Sequence, residues 1–215
     1  MSSEPHLPGL DVPQPALLFD LDGTLVDSVY QHVVAWHEAL VQCGIDVSVW
    51  RLHRRIGMSG GLFLHALQRE IGVEIDPDTQ VVLARLHAES YLRRSHLVTP
   101  LPGARELLRY LAEREVPFAI ATSGARHTAG SAIALLELAD DVPIVTRDLV
   151  ERAKPDPHLF LAAAKALGTD PQDCFVVGDS VWDLLAAQRA GAYRVYADPA
   201  EMLARVEEVG VRPAR

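Results

Sequence analysis

Five short runs of nearly continuous hydrophobicity punctuate the chain: Ala16 to Phe19, Phe118 to Ala121, Pro143 to Val145, Phe175 to Val177 and Tyr193 to Tyr196. Unbroken apolar runs this short fit strands covered on both faces, as in a parallel sheet sandwiched by helices. Helical patterns separate them. "PGARELLRYLAER" opens with Pro102 and sets Leu107, Leu108 and Leu111 on one stripe. "DPHLFLAAAKALG" offers Asp156 as a cap, Pro157 at the first helical position and Gly168 as the stop. "SVWDLLAAQRAG" repeats that logic from Ser180 to Gly191. Alternating strands and helices predict an α/β fold with a doubly wound parallel sheet, whose ligands gather at the carboxyl ends of the strands.

Residues 29–96 break the alternation and read as helix throughout. Val33, Trp36 and Leu40 share a stripe, "GGLFLHALQREIG" is bounded by glycines, and Asp76 followed by Pro77 starts "DPDTQVVLARLHAESYLRR". The expected organisation is a flexible N-terminal tail over residues 1–15, an α/β core from 16–28 and 97–215, and an inserted helical cap at 29–96. A chain of 215 residues can bury such a core unaided. The net charge of −9 argues against a broad nucleic-acid or anionic-membrane surface. Only two cysteines occur, Cys43 and Cys174, in no metal-ligand spacing. That suits a reducing compartment, hence a cytoplasmic protein. The first fifteen residues, with prolines at 5, 8, 13 and 15, match neither a signal peptide nor a membrane span.

Chemistry enters where the strands end. The first predicted strand runs into Asp20 and Asp22, the second into Thr122 and Ser123, and the fourth into Gly178, Asp179 and Ser180, while Lys154 follows the third. In a parallel sheet these ends share one edge, so carboxylates, hydroxyls and a lysine face one crevice. A hard divalent cation together with a phosphate would offset the repulsion between the carboxylates, and an oxygen-rich set suits Mg²⁺. Plainer roles stand beside these. Asp20 and Asp22 can be turn formers beside Gly23, Thr122 and Ser123 can cap a helix, and Ser180 with Asp183 has capping-box spacing.

"FDLDGTLVDS", "ATSG", "KPDPHLF" and "VVGDSVWDLLAAQRAG", in that order, resemble the haloacid dehalogenase-like superfamily of phosphohydrolases. The resemblance runs from about Ala16 to Ala197 and is to the helical-cap subgroup that includes phosphoglycolate phosphatases and β-phosphoglucomutases. It implies a Mg²⁺-dependent phosphatase for a small phosphorylated metabolite of the phosphoglycolate or sugar-phosphate type, working through an aspartyl-phosphate, as a monomer or small homo-oligomer. Asp20 then matches the nucleophile, and Asp22 the general acid and base, with a pKa raised by a dry setting. Asp20, the Asp22 backbone carbonyl and Asp179 match the metal ligands. Thr122, Ser123 and Lys154 match the phosphate contacts, and Asp183 an acid that orients metal-bound water or the lysine. His32 falls where mutase relatives place a histidine near the phosphoryl site, and an exposed helix-face histidine is the plain alternative. Gly60 stands where those relatives carry a phosphate-gripping arginine, and Thr24 replaces their aliphatic residue, which weighs against a phosphomutase. Arg54 and Arg55 reach either an anionic substrate group or solvent. A non-catalytic phosphate-binding regulatory module is the rival of another class.

Overall fold

The computed structural model of the protein describes residues 15–195 and 198–209. The tail expected over residues 1–15 lies, apart from Pro15, outside the described residues, as does the Tyr196 end of the fifth predicted strand. In chain order the elements are β1 (Ala16–Phe19), β2 (Val26–Asp27), α1 (Val29–Gln42), α2 (Val49–His53), α3 (Gly60–Ile71), α4 (Pro77–Arg94), β3 (Thr99–Pro100), α5 (Ala104–Glu113), β4 (Phe118–Ala121), α6 (Arg126–Ala134), β5 (Ile144–Val145), α7 (His158–Leu167), β6 (Cys174–Val177), α8 (Val181–Ala190), β7 (Tyr193–Val195) and α9 (Pro199–Val209).

A five-stranded parallel sheet has the order β5-β4-β1-β6-β7. The chain therefore builds outward from β1 in one direction and then, from β6, in the other. That reversal leaves a crevice at the carboxyl end of β1. Within β1 the period-two alternation divides the core. Leu17 and Phe19 pack with Leu107, Leu111 and Ile120 on one face, whereas Ala16 and Leu18 pack with Leu159, Phe160, Cys174 and Ala187 on the other. Register puts Phe19 beside Ile120 and Val177, so the residues after each strand emerge together.

A third apolar cluster belongs to the cap. Val33, Trp36 and Leu40 on α1 meet Leu52, Phe63, Leu67 and Leu83, which makes α1 to α4 a packed unit. β2 and β3 pair antiparallel, Val26 with Pro100 and Asp27 with Thr99, where the chain leaves for the cap and returns. Among the described residues no helix is long and apolar enough to cross a membrane.

Two expected helix starts differ from what is seen. α5 begins at Ala104 rather than Pro102, because Gly103 takes a left-handed conformation with φ 80° and ends the preceding turn. Asp156 does not cap α7: its amide is engaged in a turn onto the Ala153 carbonyl, and Pro157 occupies the N-cap position with no side-chain cap. The caps at Asp76 and Ser180 form as their spacing predicts, and Gly168 and Gly191 end their helices left-handed.

Candidate active site

Asp20 follows β1 at the floor of the crevice and is almost wholly buried, as is Lys154 from the loop before α7. Lys154 Nζ donates to Asp20 Oδ1 and lies 2.7 Å from Asp183 Oδ1. The other oxygen of Asp183 accepts from the Ser180 hydroxyl and, at 3.1 Å, from the Ser180 amide. One carboxylate thus closes the capping box of α8 and contacts the lysine. Asp179, after β6, accepts from Thr24 Oγ1 at 3.1 Å.

Carboxylate oxygens of Asp20, Asp179 and Asp183 all fall within 4.8 Å of one another. One ammonium faces these three acids. Burial pushes Asp20 well above the usual carboxylate range, Lys154 pulls it back, and Asp183, Asp179 and Asp22 add to the rise. Burial and then Asp183 push Asp179 up to about 6. Lys154 shows the opposite balance: burial alone would lower it, but Asp183 and Asp20 hold its ammonium above the ordinary lysine value. Net negative charge remains in a buried, all-oxygen pocket, which is the donor chemistry of a hard divalent cation, and the residues present fit one.

The glycine of "DLDGT" explains how close these groups come. Gly23 has φ 86°, and a Cβ there would stand 2.7 Å from Asp179 Cγ and 2.7 Å from Val29 Cγ2.

Asp22 turns away from the acidic cluster. Its Oδ1 accepts from Ser28 Oγ at 2.5 Å and lies 3.3 Å from His32 Nε2, while Thr122 Oγ1 is 3.4 Å from its Oδ2. Burial works to raise its pKa, but the charge and hydrogen bond of His32 and the bond from Ser28 outweigh it. The carboxyl sits below its ordinary value. This reverses the expectation of a raised Asp22, because the dry setting arrives with donors attached.

His32 is therefore not an exposed helix-face residue. Its ring stacks on Tyr91 at 4.0 Å, and its Nδ1 lies 3.2 Å from His87 Nε2, while His87 stacks on Trp36 at 4.1 Å. Burial and the neighbouring His32 keep His87 well below the usual imidazole pKa. His87 and Tyr91 escaped the sequence reading. Their signal is a matched pair of i, i+4 spacings, His32 with Trp36 on α1 and His87 with Tyr91 on α4, which stack once the helices pack.

Thr122 is buried, and its Oγ1 accepts from the Gly124 amide at 2.9 Å. Ser123 Oγ is buried without a hydrogen-bond partner. Between core and cap lies a cavity of about 490 Å³ that touches Asp20, Asp22 and Ser123 below and His32 and residues of α3 and α4 above. Arg147, from the loop after β5, also lines it, although neither periodicity nor motif marks that position in the sequence. Arg55 reaches the cavity wall but is paired with Glu70, and Arg54, 4.9 Å from the Trp50 ring, lines a smaller neighbouring cavity with Asp22 and Asp179.

Comparison with known proteins follows the same lines. A family model described as a haloacid dehalogenase-like hydrolase matches residues 15–191. The chain is 33% identical over 183 residues to validoxylamine A 7'-phosphate phosphatase of Streptomyces hygroscopicus subsp. limoneus, covering 83% of each chain. It is 32% identical over 202 residues to hexitol phosphatase A of Escherichia coli, covering 89% of this chain and 87% of that one. A hydrolase crystal structure from Pseudomonas syringae superposes with a TM-score of 0.85 at 45% identity, covering 91% of this chain and 99% of the other.

Proposed function

Because the chain belongs to the haloacid dehalogenase-like hydrolases, we propose that it is a Mg²⁺-dependent phosphatase hydrolysing a small phosphorylated metabolite through an aspartyl-phosphate. The observation that carries this is the gathering of Asp20, Asp179, Asp183 and Lys154 at one sheet edge, with Asp20 lining a cavity of about 490 Å³.

Asp20, Asp179 and the backbone carbonyl of Asp22 would hold the cation. Bound there, it supplies neutralisation of the carboxylates and polarisation of the phosphoryl oxygens. Asp20 attacks phosphorus with a carboxylate oxygen as the bond to the leaving oxygen breaks. Lys154, Thr122 and Ser123 hold the phosphoryl oxygens, and the unpartnered Ser123 hydroxyl is free to donate. Asp22 protonates the leaving oxygen, then takes a proton from the water that cleaves the aspartyl-phosphate and restores Asp20. Its low pKa in the free enzyme leaves it ionised, as the second task requires. For the first, the approach of phosphate negative charge raises its proton affinity. His32, bonded to Asp22, fixes where that carboxyl points.

Relatives named as phosphatases of small phosphorylated compounds support the substrate class. Phosphate release from a panel of small phosphomonoesters, with and without Mg²⁺, tests the proposal. Release that needs Mg²⁺ and stops with chelator is expected, and a silent panel on folded protein would favour the regulatory module. Isomer formation without net phosphate release would make it a phosphomutase instead.

A further inference from the structure

The cap side of the cavity is lined mainly by apolar side chains, and the α4 wall offers few free hydrogen-bonding groups, although the uncapped amides of Gly60 and Gly61 at the start of α3 also border it. Its lining includes Ile56, Met58, Leu64, Val81, Ala84 and Ala88. Val81, Ala84 and Ala88 lie at i, i+3 and i+7 along α4, an apolar stripe turned toward the substrate space rather than into the cap core. Val81 is 70% exposed, which identifies this face as one the fold itself leaves uncovered.

Four polar side chains on the same side, those of Arg55, Gln80, His32 and His87, each have a partner. Arg55 pairs with Glu70 and donates to the Arg51 carbonyl at 2.6 Å, and Gln80 donates to the Ile75 carbonyl at 2.9 Å. His32 and His87 bond each other. Ser123, His127 and Arg147 add polar lining on the core side. A hydroxyl-rich leaving group pressed against the stripe would lose water and find no partner there, whereas an apolar face loses nothing.

Resting on the phosphatase reading, we propose that the preferred substrate is a phosphomonoester whose leaving group is bulky and two-faced. Its phosphate and polar edge lie toward the core, and an apolar ring or chain lies against the α4 stripe, Ile56 and Met58. A volume of about 490 Å³ exceeds what a two-carbon acid fills and falls among cavities that enclose far larger ligands, roughly 300–1,000 Å³.

The test compares 2-phenylethyl phosphate with glycerol 3-phosphate on the full chain with Mg²⁺. Both leaving groups are unactivated alkoxides, so the comparison reads the cavity rather than leaving-group basicity. Phenylethyl phosphate is expected to show kcat/KM at least about tenfold higher. Val81→Asn, which puts a carboxamide in place of two methyls at an exposed position, should bring the ratio of the two close to one. Equal values, a preference for glycerol 3-phosphate, or a ratio that Val81→Asn leaves unmoved would overturn the proposal while the phosphatase reading stood. If neither compound releases phosphate, the wider panel of phosphomonoesters decides the phosphatase reading. Calorimetry then decides the cavity assignment: phenylethyl phosphate binding about tenfold tighter than glycerol 3-phosphate upholds it, and equal affinity overturns it.

Discussion

Replacing Asp20 by Asn swaps a carboxylate for an amide of the same shape in a site where Lys154 also holds Asp183. The lysine keeps one partner and the acidic cluster loses one repelling charge, so the variant should fold. With the attacking oxygen gone, kcat should fall on the order of 10⁴-fold. Near-normal turnover, or failure to trap a phosphorylated wild-type enzyme, would remove Asp20 as nucleophile. Gly23→Ala acts on geometry instead. At φ 86° the new methyl is strained and meets Asp179 and Val29, so the fold should lose about 1–3 kcal/mol in a urea titration. Activity should fall with it, because Asp179 cannot stay where it is. At this scale the sequence was most legible where a motif fixes residues within one turn, as in "FDLDGT". It was least legible for Asp22, whose pKa depends on His32 and Ser28, and for the His32 to His87 contact, which exists only after two helices pack.

Elements were legible where the signal is local. The five runs of apolar residues locate the sheet strands to within about a residue, and Ser180 with Asp183 gave a capping box that forms. The two-residue strands β2 and β3 carry no periodicity to read. Their pairing joins residues far apart in sequence, and only the returning cap brings them together. Asp156 misled because a capping residue needs extended backbone at the helix boundary, and here a turn intervenes. Two substitutions measure what local signals contribute. Ser180→Ala should cost about 0.5–2 kcal/mol by removing the α8 cap, and should also weaken catalysis, since Asp183 loses a donor while holding Lys154. Gly130→Ala lies inside α6 where an added Cβ meets nothing within 4 Å, so a gain of about 0.5–1 kcal/mol is expected by thermal or urea unfolding, with activity unchanged.

Over the whole molecule, folding brings Asp20, Asp179 and Asp183 from distant segments into one buried pocket with a single lysine, and their repulsion opposes the folded state. A cation bound only by the native protein should reverse that opposition. At a concentration about 100 times the dissociation constant, the gain is about 2.7 kcal/mol. For a chain of this size each kcal/mol moves Tm by roughly 2–4 °C. Millimolar Mg²⁺ should therefore raise the melting temperature by about 5–10 °C, and chelator should return it. Asp179→Asn separates the two contributions. Without metal it should melt above the wild type, because one repelling charge is gone; with metal it should melt below it, because a ligand is gone. A single pair of melting curves that crosses in this way ties stability and metal binding to the same carboxylates. Curves that stay parallel, or a wild type indifferent to Mg²⁺, would separate the acidic cluster from metal binding and leave its burial to be explained by Lys154 alone.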